Sequence, residues 1–229
     1  MNTVLSFHYF GFILKSLYFS VCNRALDIGL IIDTSGSINE GDIPNWPIVV
    51  RFLTDLVNQL NIGFDMVRVG AVQFSQNASL EWRLDSYFDR VSMIDAINRI
   101  FYQGQTTNLA GGLELARNAI FNDPGNRQGV RNVALVITDG VPNVRFDDTI
   151  PEARALARVV DLIVAVGVTD RVDFDLLGRV ASSPSNVISV RDFSALTNDL
   201  DRIVTEVCLT TDRPFPPPVP VPTPAPPTG

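Results

Sequence analysis

The sequence predicts an α/β protein whose doubly wound, mostly parallel sheet has one short antiparallel edge strand and helices on both faces. Apolar runs of strand length alternate with segments whose apolar residues recur at helical spacing. Because these runs are apolar throughout, they indicate strands that are covered on both faces and run parallel. An aspartate directly follows two of the runs, and ligands of such sheets collect beyond the carboxyl ends of the strands.

The first predicted elements are two strands, a helix and an edge strand. Leu26–Ile32 is a continuous apolar run of strand length. From Asp42 to Leu60 the apolar residues recur every three or four positions, which predicts an amphipathic helix. Met66–Phe74 is the second strand. Leu80–Leu84 alternates apolar with polar residues, which predicts a short partner strand at an exposed edge.

Helices and strands continue to alternate through the rest of the body. Helical spacing is found around Arg90–Ile100, Leu109–Phe121, Ile150–Val159, Phe174–Val180 and Phe193–Val207. Apolar strands are predicted at Asn132–Thr138, Leu162–Val168 and Val187–Val190. We expect Ser86 or Asp89, and Asp192, to cap helices, because their side-chain oxygens can accept hydrogen bonds from free amide groups.

Both ends of the chain differ from this body. Residues 1–21 are mostly apolar but too short, and too interrupted by Lys15, for a membrane span, so we expect a secretory signal peptide there. A poor signal anchor and a wrongly predicted first exon are the alternatives. Residues 209–229 are rich in proline, which favours an extended linker or O-glycosylated tail over a ligand for a proline-recognising domain.

Composition excludes several classes of function. The net charge of −7 argues against nucleic acid and against an anionic membrane surface as partners, and it suits a protein that binds cations. We therefore expect no nucleic-acid partner and no direct membrane insertion. One histidine, His8, and two cysteines argue against a zinc site of cysteine and histidine and against a Cys/His catalytic pair.

Cys22 and Cys208 bracket the segment that is predicted to fold. In an oxidising compartment they would form a disulfide that closes nearly the whole domain into one loop; two buried free thiols are the alternative. Asn77-Ala78-Ser79 is a sequon that predicts N-glycosylation at Asn77, although sequons arise often by chance.

Hard oxygen ligands gather at the ends of two predicted strands. Asp33-Thr34-Ser35-Gly36-Ser37 follows the first strand, and Asp139 follows Asn132–Thr138. Two carboxylates with hydroxyl groups between them favour a Mg²⁺-type site over a catalytic dyad. If these strands are neighbours where the strand order reverses, both acids face one cavity. Roles as an N-cap and a turn residue are the alternative.

A third contribution is expected from the glycine-rich segment Gly104–Leu113, where two threonines precede a predicted helix. We prefer Thr107 to Thr106 as the ligand because Asn108 follows it and because of its spacing to Leu113. Thr106 is expected to have a structural role.

Residues 22–208 resemble a von Willebrand factor type A domain, a Rossmann-like fold, in its extracellular matrilin and collagen branch. The metal-ion-dependent adhesion site of that family reads Asp-x-Ser-x-Ser, then a threonine in a Gly-rich loop, then an aspartate in Thr-Asp-Gly. The matching residues here are Asp33, Ser35, Ser37, Thr107 and Asp139. Two positions depart from the family loop: Gln105 replaces a glycine and Leu109 replaces a threonine.

The resemblance implies a secreted, non-enzymatic module of the extracellular matrix. It implies that Ser35, Ser37 and Thr107 approach Mg²⁺ (or Mn²⁺ or Ca²⁺) directly, whereas Asp33 and Asp139 act largely through water. A coordination position stays open for an acidic side chain of an extracellular protein partner, with collagen among the candidates.

Two other functions remain to be weighed. A structural or assembly domain could keep a metal site that is not used for binding. A phosphotransfer enzyme of similar topology is disfavoured, because Ser35 stands where such enzymes often have a second acid, and because the body contains no lysine to hold a phosphoryl group.

Overall fold

The computed structural model describes Cys22, residues 24–40 and residues 44–209. Within that part of the chain six strands form one sheet. They are β1 Leu26–Asp33, β2 Val67–Phe74, β3 Ala78–Trp82, β4 Arg131–Thr138, β5 Leu162–Val168 and β6 Val187–Val190. Their order across the sheet is β3-β2-β1-β4-β5-β6.

Strand β1 lies inside the sheet and is parallel to both of its neighbours, β2 and β4. Strand β3 runs antiparallel to β2 at one edge, whereas β5 and β6 extend the sheet in parallel on the other side. Along the chain, β2 and β3 are added on one side of β1, and β4, β5 and β6 are then added on the other. The strand order therefore reverses between β1 and β4. The predicted fold class is confirmed.

Helices cover both faces of the sheet. They are α1 Trp46–Asn58, α2 Arg90–Ile97, α3 Leu109–Ala116, α4 Thr149–Leu156, α5 Phe174–Val180 and α6 Leu200–Leu209. Helices α1, α2 and α6 contribute to one buried core, and α3, α4 and α5 to the other. Successive residues of β1 point to opposite faces, so Leu30 belongs to the first core and Ile31 to the second.

The edge strand begins and ends earlier than the predicted segment Leu80–Leu84. The turn before it is tight, since the Ser75 amide donates to the Asn77 carbonyl at 3.1 Å, and pairing with β2 starts at once with Phe74 opposite Ala78. The Trp82 indole then donates to the Val69 carbonyl at 3.0 Å and fixes the end of the strand.

Two predicted helices begin later than expected. Helix α1 begins at Trp46, where Pro47 fits a first turn that needs no amide donor; residues 41–43 lie outside the described part. Before α6, Phe193–Ala195 forms a separate 3₁₀ turn. Asp192 caps this turn, because its Oδ1 accepts from the Ala195 amide at 3.0 Å.

The α2 helix is capped by Asp89 rather than Ser86. Asp89 Oδ1 accepts from the Ser92 amide at 2.9 Å, whereas the Ser86 hydroxyl accepts from the Arg83 amide in the preceding turn.

The predicted helix Leu109–Phe121 changes its winding after Ala116. Its last turn, Arg117–Phe121, is π-helical. The turn carries Phe121 against Gly29 of β1, where an added Cβ would lie 2.5 Å from the phenyl ring. Only glycine permits this close approach of helix to strand.

A disulfide joins Cys22 to Cys208, with a Cα–Cα distance of 5.6 Å. Both cysteines are buried, and they tie the start of the domain to the last helix. Residues 1–21, the predicted signal peptide, and residues 210–229 of the predicted tail 209–229 lie outside the described residues, whereas Leu209 ends α6. Among the helices that are described, none is long and apolar enough to cross a membrane.

A buried ion pair holds the amino end of the sheet together. The Asp27 side chain in β1 is fully buried, and the Arg127 guanidinium donates to its Oδ1 at 2.6 Å. The same guanidinium also donates to the carbonyls of Leu26, Phe64 and Met66. Arg127 therefore joins β1 to the loop that enters β2.

We expect Arg127→Leu to lower the free energy of unfolding by about 3 kcal/mol or more, because it leaves the Asp27 carboxylate buried and unpaired. Urea denaturation measures this difference. Arg83→Leu is the matched control, because the Arg83 side chain is 48% exposed in its pair with Asp123 and its loss should cost less than about 1 kcal/mol. Equal losses in the two variants would contradict a stabilising role for the buried pair.

We expect reduction of the disulfide to lower the free energy of unfolding by about 5 kcal/mol, the chain-entropy value for a loop of this length. Urea denaturation with and without reductant measures the change. A variant with alanine at both Cys22 and Cys208 should be insensitive to reductant. A wild-type protein that is equally insensitive would show that the bond adds no stability.

Candidate metal centre

The two predicted acids meet where the strand order reverses. Asp33 is the last residue of β1, and Asp139 follows Thr138 at the end of β4. The two strands pair in parallel, with Ile32 opposite Ile137. Asp33 and Asp139 therefore leave adjacent strands at the same edge of the sheet, and both are buried.

Asp33 is held rigidly by two hydrogen bonds. Its Oδ1 accepts from the Ser35 amide at 2.8 Å, within its own loop. Its Oδ2 accepts from the Thr138 hydroxyl at 2.5 Å, across the pair of strands. Sequence reasoning did not assign this role to Thr138, although its place in Thr-Asp-Gly could have indicated it.

Ser35 and Ser37 connect the first loop to the second acid. Their hydroxyl oxygens lie 3.1 Å apart, and the Ser37 hydroxyl donates to Asp139 Oδ1 at 2.6 Å. Four of the five predicted ligands thus form one chain of contacts. Together with Thr107, we call these residues the oxygen cluster.

Thr107 faces this group from the third loop. It is buried, whereas Thr106 is exposed. Its amide donates to Asn143 Oδ1 at 2.9 Å, and its carbonyl accepts from the Asn143 amide at 3.0 Å. A Cβ added to Gly140 would lie 3.3 Å from Ser37 Oγ and 3.9 Å from Thr107 Oγ1, so the two hydroxyls border the same small space.

Backbone contacts fix the third loop against the first. The Gly36 amide donates to the Gln105 carbonyl at 2.7 Å, and the Gly104 amide donates to the Thr34 carbonyl at 2.8 Å. The Tyr102 hydroxyl donates to the Ser35 carbonyl at 2.9 Å. Because Gln105 takes part through its backbone, the side chain that departs from the family loop leaves this contact intact.

The cluster concentrates negative charge where water is excluded. Burial raises the pKa of Asp33 to about 6, against the opposing effect of the hydrogen bonds from Ser35 and Thr138. Burial also raises the pKa of Asp139, opposed by the hydrogen bond from Ser37 and by the charge of Arg171. A bound cation would relieve the unfavourable burial of both carboxylates.

The residues present fit a hard divalent cation. Asp139 Oδ2 is buried and accepts no hydrogen bond within the described part of the chain. Carboxylate and hydroxyl oxygens are the donors that Mg²⁺ and similar ions prefer. The described residues contain no group of three or more His, Cys, Asp or Glu side chains suited to a metal, so the fit depends on the three hydroxyls.

Two further side chains bear on the site. Arg171, in the loop after β5, lies 3.6 Å from Asp139 Oδ2 through its Nη2. Sequence reasoning missed it, although the carboxyl end of a parallel strand is a place to search.

Asn77, the predicted glycosylation site, is exposed beside the edge strand and lines a cavity of about 290 Å³ with Arg145. Its modification remains a prediction.

Comparison with known sequences identifies matrix proteins. The family model for the von Willebrand factor type A domain matches residues 27–202. Collagen alpha-1(XII) of Notophthalmus viridescens is 31% identical over 82% of this chain and 20% of its own length. Cuticlin-6 of Caenorhabditis elegans is 31% identical over 86% of this chain and 33% of its own length. The chain therefore spans between a fifth and a third of these relatives.

Comparison with solved structures gives the same fold. Proximal thread matrix protein 1 from the mussel byssus superimposes with a TM-score of 0.75 at 28% identity, over 82% of this chain and 47% of that one. A second structure of that protein, with a zinc-occupied MIDAS motif, gives a TM-score of 0.75 over 90% of this chain and 53% of that one. The Plasmodium vivax TRAP protein shares the fold at 24% identity, with a TM-score of 0.63 over 80% of this chain and 75% of that one.

We expect Mg²⁺ or Mn²⁺ added to the EDTA-treated protein to raise its melting temperature by about 5–10 °C at a hundredfold excess over Kd, because an ion that binds the native state stabilises it. Asp33→Asn should abolish the shift without lowering the melting temperature of the ion-free protein, since it removes a buried charge. Differential scanning fluorimetry measures both values.

The control for that experiment is Asp95→Asn, an exposed position on α2 that should keep the full ion-dependent shift. A shift that survives in Asp33→Asn would place the ion outside the oxygen cluster.

Proposed function

The chain belongs to the von Willebrand factor type A family, and from this premise we propose that it is a secreted module of the extracellular matrix that binds a protein partner through a divalent ion. Asp33, Ser35, Ser37, Thr107 and Asp139 would hold the ion at the carboxyl edge of the sheet. We propose Mg²⁺ as the ion, with Mn²⁺ and Ca²⁺ as alternatives.

The observation that carries this proposal is the geometry of the oxygen cluster. Three hydroxyls and the Asp139 carboxylate, drawn from three separate loops, border one small space, and the Asp33 carboxylate is tied to them through the Ser35 amide. When bound, the ion supplies an electrophilic coordination position for an acidic side chain of the partner. Because Asp33 and Asp139 would act largely through water, the direct ligands from this chain would be uncharged hydroxyls, which leave the ion electrophilic.

Exposed apolar side chains on the same loops support a protein partner. Phe101 is 76% exposed and precedes the Thr107 loop, while Val141 and Phe146 follow Asp139 and are 42% and 47% exposed. Exposed apolar side chains that lie among polar residues mark protein interaction sites. They would exclude water around the contact between the ion and the partner's carboxylate.

Binding fits this site better than catalysis. Ser35 stands where phosphotransfer enzymes of similar topology often have a second acid, and residues 22–208 contain no lysine to hold a phosphoryl group. The relatives support a role in the extracellular matrix, since they include collagen alpha-1(XII). The proposed partner is an extracellular protein that offers an acidic side chain, with collagen as the first candidate.

A purely structural role for the cluster is the second candidate. The observation that favours it is that Ser37 already bridges to Asp139, and Gly36 to Gln105, through hydrogen bonds that need no ion. The three loops could then serve to shape the edge of the sheet.

Surface plasmon resonance over immobilised collagen separates these two functions. We expect EDTA, and separately Asp33→Ala, to weaken binding at least about tenfold, since both remove the contact between ion and carboxylate. Arg51→Gln is the matched control, because Arg51 is exposed on α1 and pairs only with Asp55 among the described residues. Binding that persists in EDTA and in Asp33→Ala would reject the metal mechanism and favour the structural role.

A further inference from the structure

Arg171 lies in the loop after β5, and its side chain extends to Asp139 at the end of the neighbouring strand β4. We propose that Arg171, held in place by Glu40, is an internal counter-ion of Asp139 that competes with the divalent ion and sets the affinity of the site for it. This inference rests on the proposed function only in so far as the cluster binds a divalent ion.

The guanidinium contacts both the first loop and the second acid. Its Nη2 lies 3.6 Å from Asp139 Oδ2 and 3.4 Å from the Ser37 carbonyl oxygen, to which it donates. Its Nη1 forms an ion pair with Glu40. One planar group therefore spans two carboxylates and a carbonyl, a geometry that the fork of arginine permits and the point charge of lysine does not.

The backbone before Arg171 and the backbone before Glu40 direct these two side chains towards each other. Thr169 adopts a left-handed conformation with φ of 73° directly after β5, and its amide donates to the Val190 carbonyl at 2.9 Å. This turn brings Arg171 back over the neighbouring strand β4. Glu40 follows the 3₁₀ turn Gly36–Asn39 that carries Ser37, and its amide donates to the Ser37 carbonyl at 3.1 Å.

The burial of Asp139 distinguishes this contact from an ordinary surface ion pair. Exposed pairs contribute little, and Arg171 with Glu40 alone would be one of them. The Asp139 side chain, however, is completely buried, and its Oδ2 lacks a hydrogen bond in the described part of the chain. Within the same residues, Arg171 is the cation at ion-pair distance from Asp139.

A divalent ion at the oxygen cluster must therefore bind beside a fixed positive charge. The two cations repel each other because both are positively charged, and they come close because the same carboxylate attracts both. Glu40 keeps the guanidinium close in the absence of the ion, and it offers a second carboxylate to which Arg171 can stay bound when the ion takes Asp139.

Calorimetric titration of Mn²⁺ into EDTA-treated protein tests the inference. We expect Arg171→Gln to bind Mn²⁺ about tenfold more tightly than the wild type, because the competing charge is gone. Arg171→Lys should change the affinity less, since the positive charge stays. Arg191→Gln is the matched control: its side chain is 87% exposed and pairs with the adjacent Asp192, so it removes the same charge away from the site.

The melting temperature of the ion-free protein is a second, independent measurement. Arg171→Gln should lower it, because Asp139 loses its counter-ion, whereas Arg191→Gln should leave it unchanged. The difference in Mn²⁺ affinity between wild type and Arg171→Gln should narrow at high NaCl, since Arg171 is partly exposed and salt screens it.

The outcomes separate this inference from the proposed function. If wild type and Arg171→Gln bind Mn²⁺ within twofold of each other, or if Arg191→Gln tightens binding equally, the counter-ion role is overturned while the metal centre stands. If neither protein binds Mn²⁺, both the counter-ion role and the metal mechanism are overturned. Binding by Arg171→Gln alone would support the inference most strongly.

Discussion

The parallel pairing of β1 with β4 is the constraint on which the site depends. It is the one pairing that joins the two halves of the sheet, and it brings Asp33 and Asp139, which are far apart in sequence, to adjacent strand ends. The hydrogen bond from Thr138 to Asp33 crosses the same pair of strands. Any cation held by both acids is therefore held where the two halves of the sheet meet, and the hydroxyl ligands come from the loops around that point.

Much of this arrangement could be predicted, because it follows from local pattern. Buried parallel strands are continuous apolar runs, and their carboxyl ends are where ligands collect. In the structure Thr107 is buried near Ser37, whereas Thr106 is exposed. The role of Thr107 as a ligand, like that of the other four residues, remains a proposal.

The features that could not be predicted depend on contacts between distant segments. Arg127 and Arg171 look like ordinary surface arginines in the sequence, and only the fold places one beside Asp27 and the other beside Asp139. The edge strand ends at Trp82, whose indole donates to the Val69 carbonyl on another strand. The π-helical turn Arg117–Phe121 packs Phe121 against Gly29 of β1, which is also a contact between distant segments.

The disulfide has a mechanical consequence for the matrix module that we propose. Its two ends lie where the chain enters and leaves the folded body, with Cα atoms 5.6 Å apart. A force applied between the first and last residues of the folded body passes across that covalent bond and not through the hydrogen bonds of the sheet. The domain can therefore remain folded, with the geometry of its oxygen cluster undisturbed, in a chain under tension.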